Sequence, residues 1–210
     1  MNGFPSGLAR KQFSDGESLA TKGNPIGDES TVDGWRRWST NRSKVAGMIE
    51  RGIPVDLTPE SRVLYLGASS GTTVSHIADI VDVVYAVEFA PGPMRQLIDV
   101  AEGREAVIPL LKDARRPETY GHIVEANIDV LIQDVATRDQ AGVALANRRF
   151  LSETGTLLLA VKARSEDVTA EPATVFDRVR ESIQTEYRIT ESTRLDPEHV
   201  DHLAIRANPT

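Results

Sequence analysis

Apolar residues come along this chain in short, nearly continuous runs, separated by stretches whose apolar positions follow helical spacing. Val63 to Leu66 is the first clear run, long enough for a buried strand. A turn of small residues follows, Gly67-Ala-Ser-Ser-Gly71. Thr72 and Thr73 are placed to cap a helix whose apolar positions are Val74, Ile77, Ala78 and Val81. Val83 to Val87 reads as a second strand with Glu88 at its end. Pro91 to Glu102 reads as a helix with Pro93 near its start. Ala106 to Leu111, Ile128 to Gln133 and Gly155 to Val161 give three more strands, with Lys162 ending the last. Asp139 to Phe150 is an amphipathic helix, and Thr174 to Gln184 is another, with Val175, Phe176, Val179 and Ile183 inward. Tyr187 to Leu195 and His202 to Arg206 read as a closing antiparallel pair. Strand and helix alternate and a hairpin ends the pattern, which predicts an α/β fold with an open, doubly wound sheet.

Residues 1 to 34 break this rhythm. They are rich in Gly, Ser, Asp and Thr, with Phe4, Phe13 and Leu19 as isolated apolar points. They read as a small β-hairpin layer or an arm, set apart from a main domain over 35–210. Next comes Gly-Trp-Arg-Arg-Trp-Ser-Thr-Asn-Arg-Ser-Lys at 34–44. Ser39 or Thr40 is a candidate cap for a helix through Val45, Met48 and Ile49 to Gly52. Composition favours a docking helix with packed Trp and solvated Arg residues over a phosphate-facing rim of Arg36, Arg42 and Lys44.

Composition narrows the setting. The 210 residues make one full domain with room for a small appendage. The chain has no cysteine, as a reducing compartment permits. Nothing reads as a membrane span or a signal peptide, so a cytoplasmic protein without a membrane partner is expected. The net charge of −7 argues against a free-standing nucleic-acid binder. If RNA is the substrate, something else holds it.

The turn at 67–71 is the candidate chemistry. A strand, a small-residue turn and a helix start make a cradle of outward-facing N–H groups. The glycines are four apart, which is not the Gly-x-Gly-x-x-Gly of a dinucleotide fold, and no Lys-Ser/Thr follows as a P-loop requires. A ligand with a ribose and no phosphate fits better, S-adenosylmethionine being the common one. Spacing alone supports a plain strand-to-helix turn equally well. Glu88, about 20 residues beyond Gly67, stands where an acidic residue accepts ribose hydroxyls. Asp113 is able to accept from an adenine amino group or to cap its loop, and taken singly the cap is favoured. Asp134 follows the fourth strand and faces the switch-point crevice. His76 reads as a packing or hydrogen-bonding residue.

Longer motifs add a resemblance. Tyr-Leu-Gly-Ala-Ser-Ser-Gly-Thr-Thr-Val-Ser-His at 65–76 is similar to the signature of the fibrillarin family. So are Tyr-Ala-Val-Glu-Phe at 85–89, Asp-Ala-Arg at 113–115, Asp-Val-Ala at 134–136, Asp-Gln at 139–140, the run 161–172 and Asp-His at 201–202. No Gly/Arg-rich arm is present, so the archaeal branch is the better match. The resemblance implies a Rossmann-like class I S-adenosylmethionine-dependent methyltransferase fold, with a mostly parallel seven-stranded sheet. It implies guide-directed ribose 2′-O-methylation of rRNA or tRNA inside a box C/D ribonucleoprotein. The implied partners are guide and target RNA, a Nop-domain scaffold and a kink-turn-binding protein of the ribosomal type.

The resemblance also assigns residues. Gly67, Thr72, Thr73, Glu88, Phe89, Asp113, Ala114, Asp134, Val135, Ala136 and Thr137 are the implied cofactor contacts, with Phe89 near the adenine. Lys44, Asp134, Lys162 and His202 are the implied catalytic set, without a metal. In that set Lys162 accepts a proton or orients the hydroxyl, Lys44 supplies a neighbouring cation and Asp134 orients the pair. Thr137 and Arg138 stand where the family has Gln and Pro, and Val200 where it has Lys. A scaffold subunit without turnover would not need those four residues. A small-molecule methyltransferase would carry a lid that this chain lacks.

Overall fold

The computed structural model describes residues 4–124 and 127–210. Strands β1 (Leu8–Phe13), β2 (Gly16–Lys22), β3 (Thr31–Val32) and β4 (Trp35–Arg37) form a small antiparallel sheet in the order β1-β2-β4-β3. The first segment is thus a β layer. It runs on to Arg37, past the division expected at residue 34.

Helix α1 (Lys44–Glu50) leads into the main sheet. Its strands are β5 (Arg62–Leu66), β6 (Val83–Glu88), β7 (Val107–Leu111), β8 (Ile128–Gln133), β9 (Leu151–Lys162), β10 (Tyr187–Arg194) and β11 (His202–Pro209). Their order is β10-β11-β9-β8-β5-β6-β7. Strands β7, β6, β5, β8 and β9 are parallel, and β11 and β10 pair antiparallel beyond β9. The seven-stranded sheet with a reversed final pair matches the sequence reading. Helices α2 (Thr72–Ala78), α3 (Pro91–Glu102), α4 (Gln140–Asn147), α5 (Ala163–Glu166) and α6 (Pro172–Ile183) fill the crossovers. Val63, Leu64, Val84 and Val130 are buried on both sheet faces, which is why these strands read as unbroken apolar runs. One core cluster lies on each side of the sheet. No helix among the described residues is long and apolar enough to cross a membrane.

Two expected caps differ. Helix α1 starts at Ser43, whose side chain accepts from the Ala46 N–H, and not at Ser39 or Thr40. The Arg42 N–H already bonds the Ser39 carbonyl, so residues 39–42 close a turn before the helix begins. Helix α2 is entered through Gly71 in the left-handed region, with no side-chain cap from Thr72 or Thr73. It ends at Ala78, so Val81 packs from the following turn.

The Trp-Arg-Arg-Trp stretch also departs from a docking helix with solvated arginines. Arg36 lies in a strand and its side chain is 0% exposed. It donates to Glu29 at 2.8 Å, to Asp79 at 2.7 Å and to the Ser75 hydroxyl at 3.0 Å. The Thr21 hydroxyl lies 2.7 Å from both Asp79 Oδ2 and His76 Nδ1. His76 Nε2 lies 3.4 Å from Glu29, and its ring stacks on Trp38 at 5.0 Å. This sealed network bolts the small sheet to α2. Burial opposes ionisation of Glu29, but bonds from His76, the Ile26 N–H and Arg36 outweigh it and hold the carboxyl at about 2.

Candidate active site at the strand tips

The carboxyl ends of β5, β6, β8 and β9 meet where the strand order switches direction, between β5 and β8. Gly67 leaves β5 with φ +86, and a Cβ there would stand 2.7 Å from the main-chain O of Asp134. That approach admits only glycine. The Gly67 and Ala68 N–H groups both donate to the Val87 carbonyl, at 2.9 and 3.0 Å. The Ser69 N–H donates to Glu88 Oε2 and the Ala90 N–H to Oε1, each at 2.7 Å. Glu88 is therefore fixed at the rim by backbone alone, with lone pairs to spare on both oxygens.

A cleft of about 460 Å³ opens beside it, lined by Gly67, Glu88, Phe89, Asp113, Ala114, Asp134, Val135, Ala136, Thr137 and Lys162. Small-molecule sites span about 300–1,000 Å³. The cleft thus gathers every residue expected to hold a nucleoside except Thr72 and Thr73. Thr72 lines a separate hollow beside Trp38 and His76. Thr73 is buried and hydrogen-bonds Tyr65 under the floor. Both lie in the first turn of α2, behind the glycine turn. Burial pushes the Tyr65 hydroxyl well above its ordinary value, and the Asp134 charge adds to this. Asp113 is engaged by Arg115 at 2.6–3.1 Å, and that bonding lowers its carboxyl. Phe89 is an exposed aromatic surface at the rim.

At the other end of the cleft three charged side chains meet. Lys44 Nζ donates to Asp134 Oδ2 at 3.1 Å. Lys162 Nζ lies 2.7 Å from Asp134 Oδ1 and donates to the Asp134 main-chain O at 2.7 Å. The three side chains keep 15–18% of their surface exposed. Each comes from a different place: the start of α1, the tip of β8 and the tip of β9. His202 faces Lys162 across the β11–β9 register. Its Nδ1 lies 2.7 Å from the Val200 carbonyl oxygen. Burial lowers its pKa, and Lys44 and Lys162 press in the same direction against that carbonyl. All four expected catalytic residues thus share one corner. Val200 is exposed there and brings no charge.

Two residues of this corner had no assigned role. His199 lies 2.8 Å from the Thr40 carbonyl oxygen and its ring sits 5.8 Å from that of His202. Burial and the Lys44 charge lower its pKa. Gln140, buried at the start of α4, bonds the main chain of Lys162. No periodicity marks either residue; only the end of a neighbouring strand gives them their place.

A seven-stranded sheet reversed only at its final pair, with an acidic residue on the tip of β6 and a nucleoside-sized cleft at the switch point, is the fold of S-adenosylmethionine-dependent methyltransferases. Within that class the chain belongs to the fibrillarin family, whose model, Fibrillarin, matches residues 11–209. A relative from Haloarcula marismortui, a fibrillarin-like rRNA/tRNA 2′-O-methyltransferase, is 55% identical over 98% of both chains. The fibrillarin chain of a fibrillarin/Nop5p complex superposes with a TM-score of 0.91 at 40% identity, covering 100% of each chain. Aeropyrum pernix fibrillarin, solved with natively bound S-adenosyl-L-methionine, superposes with a TM-score of 0.85 at 39% identity, over 96% of this chain and 94% of that one.

Proposed function

We propose that this protein is an S-adenosylmethionine-dependent ribose 2′-O-methyltransferase acting on rRNA and tRNA. The carrying observation is the Lys44–Asp134–Lys162 bridge at the mouth of a nucleoside-sized cleft. S-adenosylmethionine, when bound, supplies a sulfonium-borne methyl group that departs with loss of the positive charge. Glu88 would accept the ribose hydroxyls of that cofactor, Phe89 would lie near its adenine, and Gly67 with 134–137 would line its seat. The target hydroxyl arrives at the Lys162 end. Lys162 donates one hydrogen bond to the Asp134 main-chain O, forms an ion pair with its carboxylate, and keeps donor capacity for the ribose oxygen, so it orients the attacking atom. Lys44, on the opposite oxygen of Asp134, prevents the carboxylate from swinging away. As the O–C bond forms the S–C bond would break, and the hydroxyl proton would pass to water at this corner, where the three side chains remain partly exposed.

The acidic chain does not hold RNA by itself. It works in a box C/D particle, in the cytoplasm, on a Nop-domain scaffold. A kink-turn-binding protein of the ribosomal type anchors the guide RNA, and the guide selects the target. The test is reconstitution with scaffold, kink-turn protein and guide RNA, assayed for labelled methyl on a matched oligonucleotide. Label at one ribose is expected. No transfer, or equal transfer without guide, overturns the reading.

A further inference from the structure

Strand β8 ends at Gln133, which pairs with Leu159 of β9. Strand β9 runs on to Lys162, so its last residues have no strand on the β8 side. A side chain fills that place. Gln140 Nε2 donates to the Lys162 carbonyl at 3.0 Å, and the Lys162 N–H donates to Gln140 Oε1 at 2.9 Å. A carboxamide offers one donor edge and one acceptor, as a peptide group does. It therefore extends the parallel ladder by one step and keeps Lys162 extended, at φ −107 and ψ 99, until α5 begins.

Gln140 is anchored on every side. Its side chain is fully buried. Its own carbonyl accepts from Gln133 Nε2 at 2.7 Å, and Gln133 immediately precedes Asp134. Glu166 Oε2 accepts from the Gln140 N–H at 2.9 Å and from Nε2 at 3.0 Å, while Oε1 accepts from the Asp139 N–H at 2.9 Å. One residue thus ties the backbone that carries Lys162 to the strand tip that carries Asp134.

We propose that Gln140 is a positioning residue for the methyl-transfer reaction, setting the place of the Lys162 amine through its main chain. The proposal rests on the role of Lys162 given above. Gln140 reaches neither the ribose nor the cofactor, and acts only through Lys162.

The test is a double-substitution cycle in the reconstituted particle, read as single-turnover methyl transfer. Gln140→Met keeps the length of the side chain and removes its three polar contacts, two to the Lys162 main chain and one to Glu166. Transfer falls roughly a hundredfold, the scale of a misplaced catalytic group. Cofactor affinity by calorimetry and KM for the target oligonucleotide stay within about twofold of the parent, since nothing in either binding site is removed. In the Lys162→Ala background, Gln140→Met lowers transfer no further. An equal loss in both backgrounds, no loss in the parent, or a parallel fall in cofactor affinity overturns the proposal. If Lys162→Ala itself leaves transfer unchanged, the catalytic reading of Lys162 fails first and separately.

Should Gln140→Met lack a cooperative melt, Gln140→Glu serves. It keeps the acceptor for the Lys162 N–H and loses the donor, which returns when the carboxyl is protonated. Its rate relative to the parent rises as pH is lowered. A flat ratio overturns the proposal.

Discussion

Two ionic clusters, one joining α2 to the small sheet and one at the tips of β8 and β9, are built from the same kinds of side chain and put to opposite uses. Around Arg36, every polar edge of the guanidinium meets an acceptor, and its side chain and those of Glu29, Asp79 and His76 are all nearly or wholly out of solvent. Around Asp134, two ammonium groups share one carboxylate at the edge of an open cleft and keep part of their surface in water. Full satisfaction gives rigidity, because no member moves without stranding a charge. Incomplete satisfaction gives reactivity, because a donor is left for a substrate. Charge alone does not distinguish a hinge pin from a site; the unspent hydrogen-bonding capacity does.

The contrast breaks most visibly at its sealed half. Arg36→Met removes the buried cation that bridges Glu29 and Asp79, leaving Asp79 to Arg104 and Thr21 and Glu29 to His76, and costs about 3–5 kcal/mol in denaturant unfolding. The methyl-transfer rate per folded molecule stays near that of the parent. A large rate loss in correctly folded protein would show that the two clusters are coupled. Lys162→Ala does the reverse. Transfer falls by roughly a hundredfold or more while cofactor affinity is nearly kept, and loss of both together would mark Lys162 as structural. Glu88→Ala sharpens the picture at the other end of the cleft, weakening cofactor binding by about tenfold to a hundredfold. Calorimetry with unchanged affinity would remove the ribose assignment.

The smallest effect is in acid. Glu29 is held at about 2 against its ordinary 4.5, so its contribution is complete above about pH 4.5 and is lost as pH falls towards 2. Glu29→Gln therefore lowers stability at neutral pH and flattens this acid limb, as read from unfolding midpoints across that range.

The parallel strands were legible because burial on both faces leaves an unbroken apolar run, as at Val63 to Leu66. The small sheet was harder. β3 has two residues and β4 three, too few for any periodicity, and they are held by an arginine whose partner Asp79 lies 43 positions away. An Arg between two Trp residues reads as a surface until that partner is in place. The site was legible in part. The glycine turn and Glu88 follow from local spacing. Lys44 lies 90 positions from Asp134, and no local pattern links them; family resemblance supplied what spacing could not. The Asp-Gln motif at 139–140 included Gln140 without a role, and His199 lay outside both routes, because their places arise where one strand outruns its neighbour or where a loop folds back on a helix start.

The peptide joining Asp134 to Val135 lies against the empty side of Gly67, and its oxygen is also the anchor of the Lys162 amine. On the proposed mechanism, donor seat and acceptor seat are thereby mounted on a single rigid plate. The gap that a methyl group must cross is gauged by one amide rather than by two independently wandering loops. A methyl added at residue 67 would lever that plate and spoil both seats in one stroke.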